Sequence, residues 1–250
     1  MSRTPPRRYW LTGASSGIGA ALAEEILKTG AHLAVSSRSL APLNELVQRF
    51  AEQVLVVAGD LTNSQTVREI GERIAAQWGS LDTVILNAGT CEYVDASQFD
   101  NSIIEHVVRT NLLASNFCIE AARPLLQAGI APHLVGMASS ATYLPLPRAE
   151  ARGVSKAGLQ YLFDTLRGEL EPQGIDVTVI SPGSVETPLS THDDFTLPLS
   201  WPVEEAARYI FDKINDRTQE ITFPAAFMST LWPLSGSSTQ VKMETRKRIE

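Results

Sequence analysis

Thr12-Gly13-Ala14-Ser15-Ser16-Gly17-Ile18-Gly19 joins a short apolar run at 8–11 to a stretch of helical pattern that begins at Ile18. Gly13 and Gly17 are free to take backbone angles closed to other residues, and Gly19 lets a helix lie close against the strand it follows. A helix starting here aims unpaired backbone N–H groups and the positive end of its dipole at the turn, which suits a pyrophosphate. Following the first strand of a βαβ unit, the segment reads as a dinucleotide-binding turn, with Thr12, Ser15, Ser16 and Ile18 among its contacts. The same residues, Gly13-Ala14-Ser15-Ser16-Gly17, also fit the G-x-S-x-G elbow of serine hydrolases. That elbow needs a later acid and histidine and normally follows a strand deeper in the sheet, whereas His133 falls in a strand-like run and His192 in a loose loop.

Outward from this turn, strand-like runs at 8–12, 32–36, 54–58, 83–86, 133–137 and 176–180 alternate with helical patterns at 18–29, 41–51, 64–78, 101–126 and 154–171. Leu159, Leu162, Phe163, Leu166 and Leu170 fall on one face of the last of these. Repeated βα units predict an α/β, doubly wound parallel sheet with right-handed crossovers and helices on both faces. A helix at 203–215 and a strand at 221–223 bring the sheet to about seven strands. The chain, 1–250, is expected to be a single dinucleotide-binding and catalytic domain. Residues 184–202, polar and proline-bearing, are long for a connection and suggest a substrate lid. The tail at 224–250 carries Phe227, Leu231, Trp232 and Leu234, which would line a pocket, pack on a partner subunit or touch a membrane surface.

Composition narrows the function class. Lys and Arg total 21 against 28 acids, a net charge of −7, so the basic face that nucleic acid demands is not available. Hydrophobic residues make up 44%, enough for a packed core. Cys91 and Cys118 stand alone, with neither disulfide nor metal-ligand spacing, so no metal site is expected. The basic, polar start lacks a secretory apolar core, and no apolar run reaches about 18 residues, which predicts a cytoplasmic protein.

With the glycine turn, the chain resembles the short-chain dehydrogenase/reductase family along nearly its whole length. The resemblance is carried by Thr12-Gly-x-x-x-Gly-x-Gly19, Gly59-Asp60-Leu61, Leu86-Asn87-Ala88-Gly89, Thr110-Asn111, Ser139-Ser140, Ser155-Lys156-Ala157, and Ser181-Pro182-Gly183 with Thr187. It implies the Rossmann fold with one strand added, a nicotinamide cofactor and hydride exchange with a small carbonyl or alcohol substrate. It also implies that Asp60 and Leu61 meet the adenine, that Asn87, Ala88 and Gly89 pass close to its ribose, and that Pro182, Gly183 and Thr187 lie over the nicotinamide. Homodimers or homotetramers are usual in the family.

An acid at the end of the second strand would bind the ribose 2′-hydroxyl and repel a 2′-phosphate, but this chain has Ser36-Ser37-Arg38-Ser39 there. Arg38 offers two donors to a phosphate, and Ser37 adds a hydroxyl, so NADP is expected over NAD. The resemblance further implies a proton relay of Tyr, Ser, Lys and Asn, with the tyrosine four residues before the lysine. Lys156, Asn111 and Ser139, thirteen residues before position 152, fit three of these places, with Ser140 as the alternative serine. Position 152 is arginine, which does not release its proton near neutral pH. Arg152 would then stabilise a developing alkoxide or hold a substrate carboxylate. Tyr143, nine residues before 152, is expected to be a pocket or loop aromatic. Two functions follow: an NADP-dependent reductase, or an NAD(P)-binding protein that has lost catalysis.

Overall fold

The computed structural model describes residues 5–95, 97–190 and 200–226, together with 228–229, 233, 236–238 and 240–242. In chain order the elements are β1 (Arg8–Thr12), α1 (Gly17–Lys28), β2 (His32–Ser36), α2 (Leu40–Phe50), β3 (Val54–Val56), α3 (Ser64–Trp78), β4 (Thr83–Leu86) and α4 (Asn101–Val108). After a π-helical turn at Arg109–Leu113 come α5 (Ala114–Gln127), β5 (His133–Met137), α6 (Glu150–Leu170), β6 (Asp176–Pro182), α7 (Val203–Asn215) and β7 (Glu220–Phe223). The strands form one seven-stranded sheet in the order β3-β2-β1-β4-β5-β6-β7, parallel at every pairing. This is the doubly wound α/β fold that the alternation predicts.

Burial explains the strands. All four residues of β4 and all five of β5 are buried, as they must be when helices cover both faces of a sheet. On one face Leu22, Ile26, Leu43, Ile210 and Ile214 from α1, α2 and α7 pack on Leu33, Val35 and Ile85. On the other, Ile70, Leu125 and Phe163 from α3, α5 and α6 pack on Trp10, Val84 and Leu134. Gly136 permits the second contact, because a Cβ there would stand 2.5 Å from the Phe163 ring.

Several elements depart from expectation, among them β6, which runs on to Pro182 rather than ending at 180. The pattern at 101–126 is not one α-helix: at Arg109–Leu113 the N–H of Ala114 donates to the carbonyl of Arg109, five residues back. The last long helix starts at Glu150 rather than 154, which puts Arg152 in its first turn. β3 is three residues long, although Val57 still donates to Val35 at 3.0 Å. The loop at 184–202 is tied at its neck by a bridge between Val185 and Trp201, with Glu186 N–H donating to Trp201 O at 2.9 Å. The rest of the expected lid, 191–199, lies outside the described residues, as do Phe227, Leu231, Trp232 and Leu234 of the tail. Among the described residues no helix is long and apolar enough to cross a membrane.

His133, at the N-terminal end of β5, is 1% exposed. The one proton of the Thr178 hydroxyl goes to Thr218 O at 2.6 Å, so His133 Nε2, 2.8 Å from that hydroxyl, must donate. Burial, with the positive charges of Arg217 and Arg7 adding, pushes its pKa down to about 3 from 6.5. Between those values the unfolded chain binds a proton that the folded chain refuses. Stability from this group is complete above 6.5 and is lost as pH falls, at up to about 1.4 kcal/mol per pH unit. We expect urea unfolding free energies to decline from pH 6.5 to about 5, above the carboxylate range, and His133→Gln to flatten that decline; an unchanged slope would refute the assignment.

Candidate active site

A cavity of about 570 Å³ opens at the C-terminal ends of the strands. It sits where the chain reverses direction across the sheet, between β1 and β4, which is where open α/β sheets leave a crevice. Two side chains hold that crevice. The Thr12 hydroxyl, buried, accepts from the N–H groups of Asn87 at 3.0 Å and Ala88 at 3.1 Å. In return the Asn87 side-chain amide donates to the carbonyls of Thr12 at 3.1 Å and Gly13 at 3.2 Å. The end of β1 is thereby clasped to the end of β4, and Gly13 N–H donates across to Ser36 O of β2 at 2.8 Å.

The glycine turn lies on this clasp and owes its shape to missing side chains. Gly13 (φ +70°) and Gly17 (φ +53°) occupy left-handed backbone, and a Cβ on Gly13 would come within 2.8 Å of Ala88 Cα. A Cβ on Gly19 would stand 2.1 Å from Gly13 O, so only glycine lets α1 start directly over the turn. Ser16, the residue before α1, gives its first amides no side-chain acceptor, whereas Asn63 caps α3 and Asp100 caps α4. Ser15, Ser16, Gly17 and Ile18 all line the cavity, so a phosphate at this helix start would meet the acceptor-free amides and the dipole together. The residues present fit a dinucleotide.

Beyond the turn, Ser37, Arg38, Asp60 and Leu61 line one end. The hydroxyl of Ser37 is spent locally, accepting from Ser39 N–H at 2.9 Å and facing Ser39 O at 3.2 Å, so Ser39, also lining the cavity, is the freer hydroxyl. Arg38 is exposed and hydrogen-bonds to no described residue. Asp60 Oδ1 accepts from the N–H and hydroxyl of Thr62, which, with Arg38 nearby, holds its carboxyl below the ordinary range and leaves Oδ2 as an open acceptor. Thr62 was not foreseen, although an aspartate two residues before a threonine at a strand end is a turn signal.

Ala88, Gly89, Ser139, Arg152, Lys156, Pro182, Gly183 and Thr187 line the other end. Thr187 is pinned by Ser190, whose hydroxyl accepts from Thr187 N–H at 3.0 Å and lies 2.8 Å from Val185 O. A Cβ on Gly17 would be 3.3 Å from the Thr187 side chain, so this loop closes over the glycine turn. Lys156 is 7% exposed and its Nζ donates to Met137 O at 2.6 Å. Burial pushes its pKa down to about 7, with the charge of Arg152 contributing and Cys91 opposing. Arg152 donates to Ser139 Oγ at 3.4 Å and to Cys91 Sγ at 3.9 Å, with no hydrogen bond to Ser140.

Asn111 stands behind the wall rather than in the lumen, fully buried. Its Oδ1 accepts from Thr90 N–H at 2.7 Å, and its Nδ2 donates to Thr90 O at 3.0 Å and Ser155 Oγ at 2.9 Å. The π turn carries it there, and Gly89 makes room, since a Cβ would lie 3.0 Å from Asn111 Oδ1 and 3.4 Å from Lys156 Nζ. Tyr143 is a loop aromatic and not a pocket one: it packs with Leu144 and Met228 and donates its hydroxyl to the Glu220 carboxylate, which with burial holds the phenol above its ordinary range. Among the described residues neither tyrosine nor histidine lines the cavity, so the serine-hydrolase pattern at Gly13–Gly17 has no histidine to complete it.

Comparison with known proteins agrees with this geometry. The family model described as short chain dehydrogenase matches residues 9–195. An 11-beta-hydroxysteroid dehydrogenase-like protein of Arabidopsis thaliana is 32% identical over 220 residues, covering 82% of this chain and 69% of that protein. An uncharacterized oxidoreductase of Staphylococcus epidermidis is 28% identical over 195 residues, 78% of this chain and 85% of its own. Among solved structures, a short-chain dehydrogenase from Burkholderia cenocepacia in complex with NADP superimposes with a TM-score of 0.82 at 22% identity, covering 96% of this chain and 97% of that one. A short-chain dehydrogenase/reductase from Burkholderia phymatum in complex with NAD gives 0.82 at 20% identity over 93% and 94%.

The clasp makes a stability prediction. Thr12→Val keeps the shape of the side chain and removes the acceptor of two backbone N–H groups. It should cost about 1–3 kcal/mol in denaturant unfolding, the penalty for stranding buried donors. Unchanged stability would mean that the crevice is held by other contacts.

Proposed function

The chain belongs to the short-chain dehydrogenase family, and on that premise we propose that it is an NADP-dependent oxidoreductase acting on a small carbonyl or alcohol. The observation that carries the reading is a single cavity lined by Arg38 at the end of β2, the glycine turn, and Ser139 and Lys156 beside β5. Thr12, Gly13, Ser15, Ser16, Gly17, Ile18 and Gly19 would seat the pyrophosphate, and Asp60 Oδ2 with Leu61 the adenine. Arg38, with Ser39 nearer to hand than Ser37, would hold a 2′-phosphate, and no carboxylate at the end of β2 opposes it. Ala88 and Gly89 would give a ribose close backbone approach, with Asn87 holding the strand end beneath it. Pro182, Gly183 and Thr187 would cover the nicotinamide. When bound, that ring gives or takes the hydride.

Ser139 would donate to the substrate oxygen, and Lys156 would hold the ribose at the nicotinamide end. Asn111 acts as a positioning residue through Thr90 and Ser155. Arg152 stands in the family's tyrosine place, so no side chain there releases a proton and the proton comes from water. Loss of a positioned acid costs about 100- to 10,000-fold in rate. The second reading, a nucleotide-binding protein without catalysis, is favoured by one observation, the lack of a tyrosine or histidine on the described cavity wall. Association into homodimers or homotetramers is supported by the exposed Val154 and Tyr161 on α6 and Leu113 beside it.

Two measurements test these readings. NADPH should bind more tightly than NADH in fluorescence titration, and Arg38→Ala should erase roughly ten- to hundredfold of the preference, the worth of a charge-assisted hydrogen bond. Equal affinities in the unmodified protein would sink the NADP assignment. Turnover of NADPH against a panel of carbonyl compounds should be slow, and Arg152→Tyr should raise it on neutral ketones. NADPH binding without turnover in either protein would favour the non-catalytic reading.

A further inference from the structure

The geometry points to an anion site at the Arg152 end of the cavity, one that selects substrates carrying a carboxylate beside the reacting carbon: 2-oxo acids or the matching 2-hydroxy acids. This deepens the oxidoreductase reading and rests on it for the chemistry, though not for the binding. Arg152 and Lys156 lie four residues apart on α6 and both line the cavity. Like charges at that spacing repel, and burial strengthens the repulsion. Helices ordinarily offset such a pair with a carboxylate, and here none of the described residues does. Among the described residues the Arg152 side chain hydrogen-bonds only to Ser139 Oγ and Cys91 Sγ, at 3.4 and 3.9 Å, and Lys156 Nζ to Met137 O. The one carboxylate lining the cavity among the described residues is Asp60, which is held by Thr62 at the Arg38 end.

Two cations with neutral partners, in a chain of net charge −7, make a place where an anion gains more than it does on the surface. The guanidinium has five N–H donors and uses two of them in long contacts, so a fork remains for a carboxylate. Its contact with Ser139 sets the position of that carboxylate. A 2-oxo acid carries its carbonyl and carboxylate oxygens on adjacent carbons, so the Ser139 hydroxyl and the Arg152 fork, themselves in contact, can take the two together. The reaction balances as 2-oxo acid, NADPH and a proton giving 2-hydroxy acid and NADP+. Two electrons pass with the hydride to the carbonyl carbon, and the proton, from water, goes to its oxygen. A bound carboxylate also relieves the repulsion on Lys156.

The test is a calorimetric titration of the protein saturated with NADP+, using 2-oxobutanoate and its neutral amide, 2-oxobutanamide, in parallel. We expect the acid to bind at least about tenfold more tightly, the scale of one charge-assisted contact. Arg152→Met should abolish the difference, and Arg152→Lys should restore part of it, because a point charge replaces a fork. Thermal unfolding of each variant establishes that it is folded. An independent readout is the Lys156 titration followed by NMR with labelled lysine. It should move to higher pH on adding 2-oxobutanoate, and also in Arg152→Met without ligand. Equal affinity for acid and amide, failure of both to bind, or a preference that survives in Arg152→Met would overturn the proposal. If NADP+ itself does not bind, the oxidoreductase reading falls, and the same titration without nucleotide still decides the anion site.

Discussion

The reciprocal clasp between Thr12 and Asn87 is the constraint on which the rest of the structure hangs. A parallel sheet wound in two directions leaves its first and fourth strands side by side with no crossover between them, and their ends would splay where the chain departs to opposite faces. One hydroxyl and one amide close that gap with four hydrogen bonds. The glycine turn rests on Ala88 and Asn87, α1 rests on the turn through Gly19, and the loop carrying Thr187 rests on Gly17. Each layer of the cavity wall is thus stacked on the one before, beginning from the buried Thr12 hydroxyl and the half-buried Asn87 amide at the foot of the cavity.

Charge is arranged along the cavity rather than spread around it. At the Arg38 end a cation and the Asp60 carboxylate are near enough for Arg38 to lower the carboxyl's pKa. At the far end two cations lie one helical turn apart, softened among the described residues only by a serine, a thiol and a carbonyl. The protein accepts this cost inside a fold that is otherwise well satisfied, where the Thr218 hydroxyl is the one buried side-chain atom without a partner among the described residues. Unrelieved charge in such a setting is a feature of the site and not of the scaffold.

The sheet was legible because each strand is a short apolar run between turns, and six of the seven strands begin at the residue where the pattern begins to favour β structure. Helix interiors were legible for the same reason and helix starts less so. Gly153 and the polar residues around it conceal the first turn of α6, although burial of Ala151 places it firmly in the structure. The π turn was not legible, since the contacts that hold its buried Asn111 amide, to Thr90 and Ser155, come from segments distant in sequence. At the cavity, residue positions followed from the strand ends, because motifs there must face the crevice. What each side chain does with its donors did not follow: Ser37 turned inward on Ser39, Tyr143 turned away to Glu220, and Ser190 tied down Thr187. Such choices are made by neighbours that the fold brings from far along the chain.

The π turn makes one rod serve two masters. Before it, Val107 of α4 is buried with Val94 and Ala151; after it, Ala114, Cys118 and Ala122 of α5 press on the sheet. The inserted residue, worth about 100° on a helix of 3.6 residues per turn, is taken up by the wide turn, so the two stripes keep their phase. A single-residue deletion between 109 and 113 would let the α-helical ladder run unbroken and, because the wide turn absorbs one residue, would leave both stripes where they are; what it would remove is the turn that carries Asn111 to Thr90 and Ser155. Along this rod the extra residue therefore belongs to the site and not to the scaffold: the packing of α4 and α5 would absorb its loss, whereas the contacts of Asn111 would not.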